Sequence, residues 1–188
     1  MSELSEYLKK DERVIWSGKP AKAPFLVGGL VVSAFGVLWL SFSMFAMWLM
    51  IFPPIGATVE DSGLGILFLL VFVLIGFGLT LGPPITQIFR YRNTKYVITD
   101  QRLITQTGAI GLDTRFIDLD KIQEVYVNVS FIDKIFGTGT LIVVTAGFVF
   151  MGLTYPAIVS LKEPYAVQKM LQEAMHATNS TIAPHSLL

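Results

Sequence analysis

The 188-residue chain contains no cysteine, which removes disulfides, iron–sulfur clusters, zinc ribbons and thiol nucleophiles from the possible chemistries. Its two histidines, His176 and His185, stand near the end of the sequence with no acidic cluster beside them. Charge is also scarce, at 15% of residues against about 25% in an ordinary soluble domain. The formal net charge is zero, so bulk attraction to nucleic acid has no basis and none is expected as a partner. Nucleophile-elbow, phosphate-loop and His-Glu-x-x-His zinc motifs are missing too. No cofactor is expected, and nothing points to an enzyme.

The shortage of charge is local. No ionisable side chain occurs between Lys22 and Glu60, or between Asp61 and Arg90. The first gap holds Phe25 to Phe52, long enough to cross a bilayer core of about 30 Å as a helix. Pro53-Pro54 stops it. The second gap holds a shorter span, Leu64 to Gly82, which Pro83-Pro84 is expected to end or kink, leaving "ITQIF" as a short interfacial turn. The first run is too long, and lacks the small-residue pattern, for a cleaved signal peptide. A buried globular hairpin is the bland alternative, but so small a chain has little with which to cover two such runs.

Lysine and arginine set the orientation. The connector "PPIGATVEDSG" has neither, whereas Lys9, Lys10, Arg13, Lys19 and Lys22 precede the first span and Arg90, Arg92 and Lys95 follow the second. Both termini are therefore expected in the cytoplasm. Trp16 and Trp48 fit interfacial anchors, and Trp16, Arg90, Arg92 and Lys95 are candidate membrane-surface contacts, with lipid as solvent. Small residues, Gly29 and Ser33 on the first span and Gly78 and Gly82 on the second, are candidates for helix–helix packing, within the hairpin or against another subunit. The GxxxG spacing alone is a weak signal.

From Lys95 the period of the sequence shortens to two. "KYVIT" and "RLITQTG" are strand-like runs joined at Asp100-Gln101. "RFIDL", "IQEVYVNV", "TLIVVTAG", "FVFMGL" and "AIVSL" continue the pattern, about seven strands in all, as in a small barrel or sandwich. Pro164 then opens a helix whose Val167, Met170, Leu171, Ala174 and Met175 form an apolar stripe. The expected organisation is a cytoplasmic N-terminal segment (1–22), a transmembrane hairpin (23–89), a β-domain (90–178) and a loose tail (179–188).

The segments "KYVITDQRLITQTG", "FIDLDKIQEVYVNVSFIDKIFGTGTLIVVTAG" and "FVFMGL", with the Pro-led helix, resemble the bacterial pleckstrin-homology-like domain family, in its prokaryotic membrane-anchored form. The lead-in "DERVIWSGKP" is similar as well. The most specific pieces are Tyr96, Thr99, Asp100, Arg102 and Leu103 of the hairpin, and the "DLDKIQEV" to "FGTGT" stretch. The resemblance covers roughly residues 11–177. It implies an α+β membrane protein: a two-helix transmembrane hairpin, then a seven-stranded, partly open β-barrel capped by a C-terminal α-helix, in the prokaryotic inner membrane. A shared fold says little about function.

Asp118 and Asp120 share one face of an extended segment, but no third ligand stands at metal-binding spacing, and hard cations take six or more oxygens. Solvated strand-edge charge is the simpler reading. From Arg90 onward nine basic residues face eight acidic ones, and the hairpin turn carries Asp100, so a polybasic lipid-binding surface is not evident. What stays unexplained is apolar surplus. Phe131, Ile132, Ile135 and Phe136 lie on one side of a helical turn, and Phe148 and Phe150 fall in a run apolar on both faces. These are candidate contacts for a homo-oligomer or another membrane-complex subunit. The expected function is therefore a non-enzymatic assembly or accessory subunit at the cytoplasmic membrane face, with lipid-headgroup binding or sensing as the alternative. A transporter or intramembrane enzyme would need intramembrane ionisable groups that the spans lack.

Overall fold

A computed structural model of the chain describes residues 8–54, 63–145 and 156–182. The chain forms two compact units, residues 26–89 and residues 1–25 together with 90–188.

The first unit is a pair of apolar helices, drawn from α1 (Lys22–Ile51) and α2 (Gly63–Asn93). Both are long and apolar enough to cross a membrane, and little of either apolar stretch is buried. Backbone contact between them passes through glycine. A Cβ on Gly36 would meet the Leu79 carbonyl carbon and the Thr80 nitrogen at 2.6 Å, and one on Gly76 would meet Leu40 at 3.0 Å. Trp39 lies flat against Phe72, 5.4 Å between ring centres, and its indole N–H donates to the Phe72 carbonyl at 3.1 Å. That bond satisfies a donor which apolar surroundings would leave costly. Ser33, Ser41, Ser43 and Thr80 each donate to the carbonyl four residues earlier.

Of the two outcomes expected at Pro83-Pro84, an end to the helix is not what the structure shows. Pro83 and Pro84 neither end α2 nor leave "ITQIF" as a separate turn; the helix runs through them to Asn93. Proline fits helical φ, and its cost is the missing N–H, which leaves the carbonyls of Leu79 and Thr80 without their usual donors. Those are the residues that Gly36 approaches, and a closely packed neighbour can hold both sides of such a break together.

The second unit contains two antiparallel sheets, β1-β2-β3-β4 and β5-β6-β7. They comprise β1 (Val14–Gly18), β2 (Lys95–Thr99), β3 (Arg102–Thr107), β4 (Asp113–Asp118), β5 (Ile122–Asn128), β6 (Gly139–Thr145) and β7 (Ala157–Leu161). Among the described residues the two sheets do not close into one barrel. The seven strands among the described residues are also not the seven read from the sequence. "FVFMGL", with Phe148 and Phe150, lies outside the described residues. The strand not read from the sequence is β1, which comes from the stretch read as a separate N-terminal segment and pairs antiparallel with β2, Trp16 opposite Ile98 and Gly18 opposite Tyr96.

Alternation decides which side chains meet between the sheets. Tyr96, Ile98, Leu103 and Ile117 from the first sheet join Val125, Leu141, Val143 and Ile158 from the second. A single turn of 3-10 helix, Leu119–Lys121, links them and buries Leu119. Helix α4 (Pro164–Ile182) starts at Pro164, and Val167, Leu171 and Ala174 of its stripe complete the core. Two turns have local causes. Gly108 sits at φ 151°, where a Cβ would collide with the Gly111 carbonyl. Helix α3 (Phe131–Phe136) opens on a capping box, Ser130 Oγ accepting from the Asp133 N–H and the Asp133 carboxylate from the Ser130 N–H, each at 3.2 Å.

Candidate functional site

The β2–β3 hairpin is held from three directions. Arg102 donates from Nε to Glu12 Oε1 and from its second terminal nitrogen to Oε2, both at 2.9 Å. The Glu12 carboxylate also accepts the Lys9 N–H at 2.7 Å and lies 2.8 Å from the Thr99 hydroxyl. On the other side of the guanidinium the Phe116 ring centre is 4.7 Å away. Asp100 exchanges bonds with Arg13, carboxylate from the Arg13 N–H at 3.1 Å and N–H to the Arg13 carbonyl at 3.0 Å. Thr178 of α4 donates to the Asp100 carbonyl at 3.2 Å. Burial works to raise the Glu12 pKa, but the bonds from Arg102, Lys9 and Thr99 outweigh it and hold the carboxyl below its ordinary value. Arg102 and Asp100, conspicuous in the sequence, are thus internal fastenings that tie "DER" to the hairpin.

Among the described residues of this unit, two clefts are open to solvent. One, of about 470 Å³, runs between α3 and the start of α4, with Lys134 and Tyr165 on its walls. Beside it Phe131 is 80% exposed, Ile135 63% and Tyr165 66%. The other, of about 590 Å³, lies where α1 begins and α2 ends, and is lined among others by Trp16, Lys19, Lys22, Tyr91, Lys162 and Met170. Lys162, Glu163 and Ala166 line both.

The residues singled out in the sequence are distributed among these features. Trp16 packs against the core and lines the larger cleft. Arg90 and Arg92 lie in the last turn of α2 and are exposed, while Lys95 opens β2 and is half-buried. Phe131, Ile135 and Phe136 are exposed on α3, with Ile132 half-buried. On the helix pair, a Cβ at Gly29 would meet Gln87 at 2.8 Å and Pro83 at 3.1 Å, and Ser33 is buried. A Cβ at Gly78 or Gly82 would meet nothing, and the glycine of α2 that closes on α1 is Gly76. Sequence reasoning overlooked the Glu12–Arg102 pair and the cleft lysines, because both join residues far apart in the chain.

Among the described residues no group of three His, Asp or Glu is placed to hold a metal ion. Asp120 is ion-paired to Lys121 at 3.0 Å, and Asp118 stands opposite Arg102 across β3 and β4. Tyr96 is buried; its pKa is pushed up to about 12 by burial, against the Val159 N–H that donates to its hydroxyl at 3.2 Å.

Two small antiparallel sheets with a C-terminal helix packed over the core define a pleckstrin-homology-like domain. The Bacterial PH domain family matches residues 25–175, and the chain belongs to it. Two solved structures are similar. A DUF1696 family protein with a pleckstrin-homology domain from Shewanella loihica PV-4 is 15% identical over 46% of this chain and 74% of its own, with a TM-score of 0.36. The Vps36 N-terminal PH domain is 12% identical over 50% and 69%, with a TM-score of 0.37. No curated protein matches the sequence.

Proposed function

We propose that this chain is a non-enzymatic, membrane-anchored PH-like protein that assembles with a second copy of itself or another subunit of a membrane complex. In this reading α1 and α2 form a transmembrane hairpin with both termini in the cytoplasm, and the PH-like unit works at the inner face of a prokaryotic cell membrane. The exposed apolar surface of both helices supports insertion: Leu38 is 70% exposed and Phe42 72%. The charge-free runs and the flanking Lys and Arg support the orientation.

The observation that carries the assembly role is the α3 surface. Phe131, Ile135 and Phe136 are held outward by a helix whose one buried polar side chain, Asp133, is spent on its own cap and on Thr138. A short, well-capped helix that shows its apolar residues to solvent is built to be covered by a partner. The test is Phe131→Asp with Ile135→Asp in the full chain. Light scattering in mild detergent is expected to show a smaller assembly, and purification from native membranes to lose co-migrating chains. Unchanged size together with an unchanged set of partners would overturn the proposal.

A further inference from the structure

The larger cleft has a composition that the α3 surface lacks. Lys19 and Lys22 reach it from the approach to α1, and Lys162 from the corner between β7 and α4, about 140 residues later in the chain. None of these three lysines has an ion pair or hydrogen-bond partner among the described residues. Glu163 is the acidic residue in the lining, so positive charge is in excess there. Ala166, in the first turn of α4, lines the same wall, and its amide has no intrahelical acceptor.

The rest of the lining is apolar or aromatic. Trp16, whose ring leaves no room for a side chain on Gly18, is joined by Tyr91, Val167 and Met170. The cleft is also anchored. Ser160 adopts φ 54°, unusual for a residue with a side chain, and its carbonyl accepts the Ala21 N–H at 2.7 Å. That bond ties the start of α1 to the strand leading to Lys162. Tyr91, in the last turns of α2, packs on Phe25 with 6.0 Å between ring centres.

Lysines flanking a membrane span need no pocket to do their work, and Lys162 flanks no span in the sequence. Its arrival from a distant loop, in a cleft with aromatic walls at the roots of both helices, calls for a ligand with one anionic and one apolar part. We propose that this cleft binds the phosphate headgroup of an anionic phospholipid, Lys19, Lys22 and Lys162 meeting the phosphate while Trp16 and Met170 flank the glycerol and upper acyl region. The choice of lipid over soluble phosphate rests on the membrane-anchored reading of α1 and α2. It is independent of assembly through α3, and differs from the β2–β3 hairpin, whose Arg102 is already engaged by Glu12.

The test uses the full chain in mild detergent, with bound lipid followed by native mass spectrometry during titration with phosphatidylglycerol, phosphatidylcholine or inorganic phosphate. Phosphatidylglycerol is expected to be retained over phosphatidylcholine. Lys162→Ala should weaken it about fivefold, the scale of one lysine at an anionic surface, and the Lys19, Lys22 and Lys162 triple alanine variant by more. Lys134→Ala, in the other cleft, should leave it unchanged, and thermal melting identifies any variant that has lost its fold. Equal retention of the two lipids, or no response to Lys162→Ala in a folded variant, would overturn the proposal. Displacement of phosphatidylglycerol by millimolar inorganic phosphate would overturn the lipid assignment in favour of a soluble phosphate. Carbonate extraction of native membranes checks the anchor separately, so failure of lipid binding and failure of the membrane reading give different results.

Discussion

The guanidinium of Arg102 and the carboxylate of Glu12 meet in two parallel hydrogen bonds of 2.9 Å, ninety residues apart in the chain. With Thr99, the Lys9 N–H and the Phe116 ring around them, the two charges are almost fully enclosed. The Arg13–Asp100 bonds and the β1–β2 ladder also join the lead-in to the hairpin beside this pair.

Removing one partner strands the other charge. Glu12→Met or Arg102→Met is expected to destabilise the PH-like unit by about 3–5 kcal/mol, as for other broken buried pairs. Glu12→Met with Arg102→Met together should cost less than the sum of the singles. Thermal melting of the four proteins in detergent gives the double-mutant cycle, and strictly additive losses would show that the two side chains do not act as a unit.

The same pair sets a response to acid. The Glu12 pKa is lowered in the folded state, so the unfolded chain takes up its proton first as pH falls. Its stabilisation is complete above the ordinary carboxylate value of 4.5 and is lost as pH drops through the lower folded value. Melting temperature measured from about pH 6 downward should fall below pH 4.5, and Glu12→Gln should flatten that part of the curve.

Tyr96 titrates in the opposite sense. With its folded pKa at about 12 against 10.0 unfolded, the phenol contributes stability that is full below pH 10 and lost as pH rises toward 12. Ultraviolet titration of the native protein should show one tyrosine that ionises last, and Tyr96→Phe should remove it. That variant also leaves the Val159 N–H without its partner, at a cost of about 1–3 kcal/mol.

Within the helix pair, Gly36 and Gly78 should behave differently. A Cβ at position 36 would press on the backbone of α2 at 2.6 Å, whereas one at Gly78 has open space. Gly36→Ala is expected to lower the melting temperature in detergent, by overpacking worth about 1–3 kcal/mol. Gly78→Ala should leave the isolated protein unaffected. Trp39 emission offers a local readout, since its ring stacks on Phe72 across the same interface.

Much of the β-unit was legible because its signals are local. "YVITDQRLI" carries both strands and their two-residue connection, and Val167, Leu171 and Ala174 carry the buried face of α4. β1 was not legible. It is five residues long, has a bulge between Val14 and Trp16, and leaves Val14 and Ile15 exposed, so no alternation marks it. The course of α2 beyond Pro83-Pro84 was missed for a related reason. Proline is penalised by the helix's own hydrogen bonding, and the contact at Gly36 that accompanies the break belongs to another helix. Of the candidate site residues, those on α3 could be found from periodicity alone, while Lys162 gives no sign in its own stretch of chain.

By itself the sequence determined the two charge-free helices, the strand-rich second half and the family, since each depends on composition or on a period of two or 3.6 within a short window. Only the tertiary structure decided that the lead-in is a strand of the first sheet, that Arg102 is a fastening to Glu12, and that Lys19, Lys22 and Lys162 share a cleft. Those arrangements carry no local period; they arise when antiparallel register brings distant segments together, and at Arg102 burial makes the charge costly enough to require Glu12.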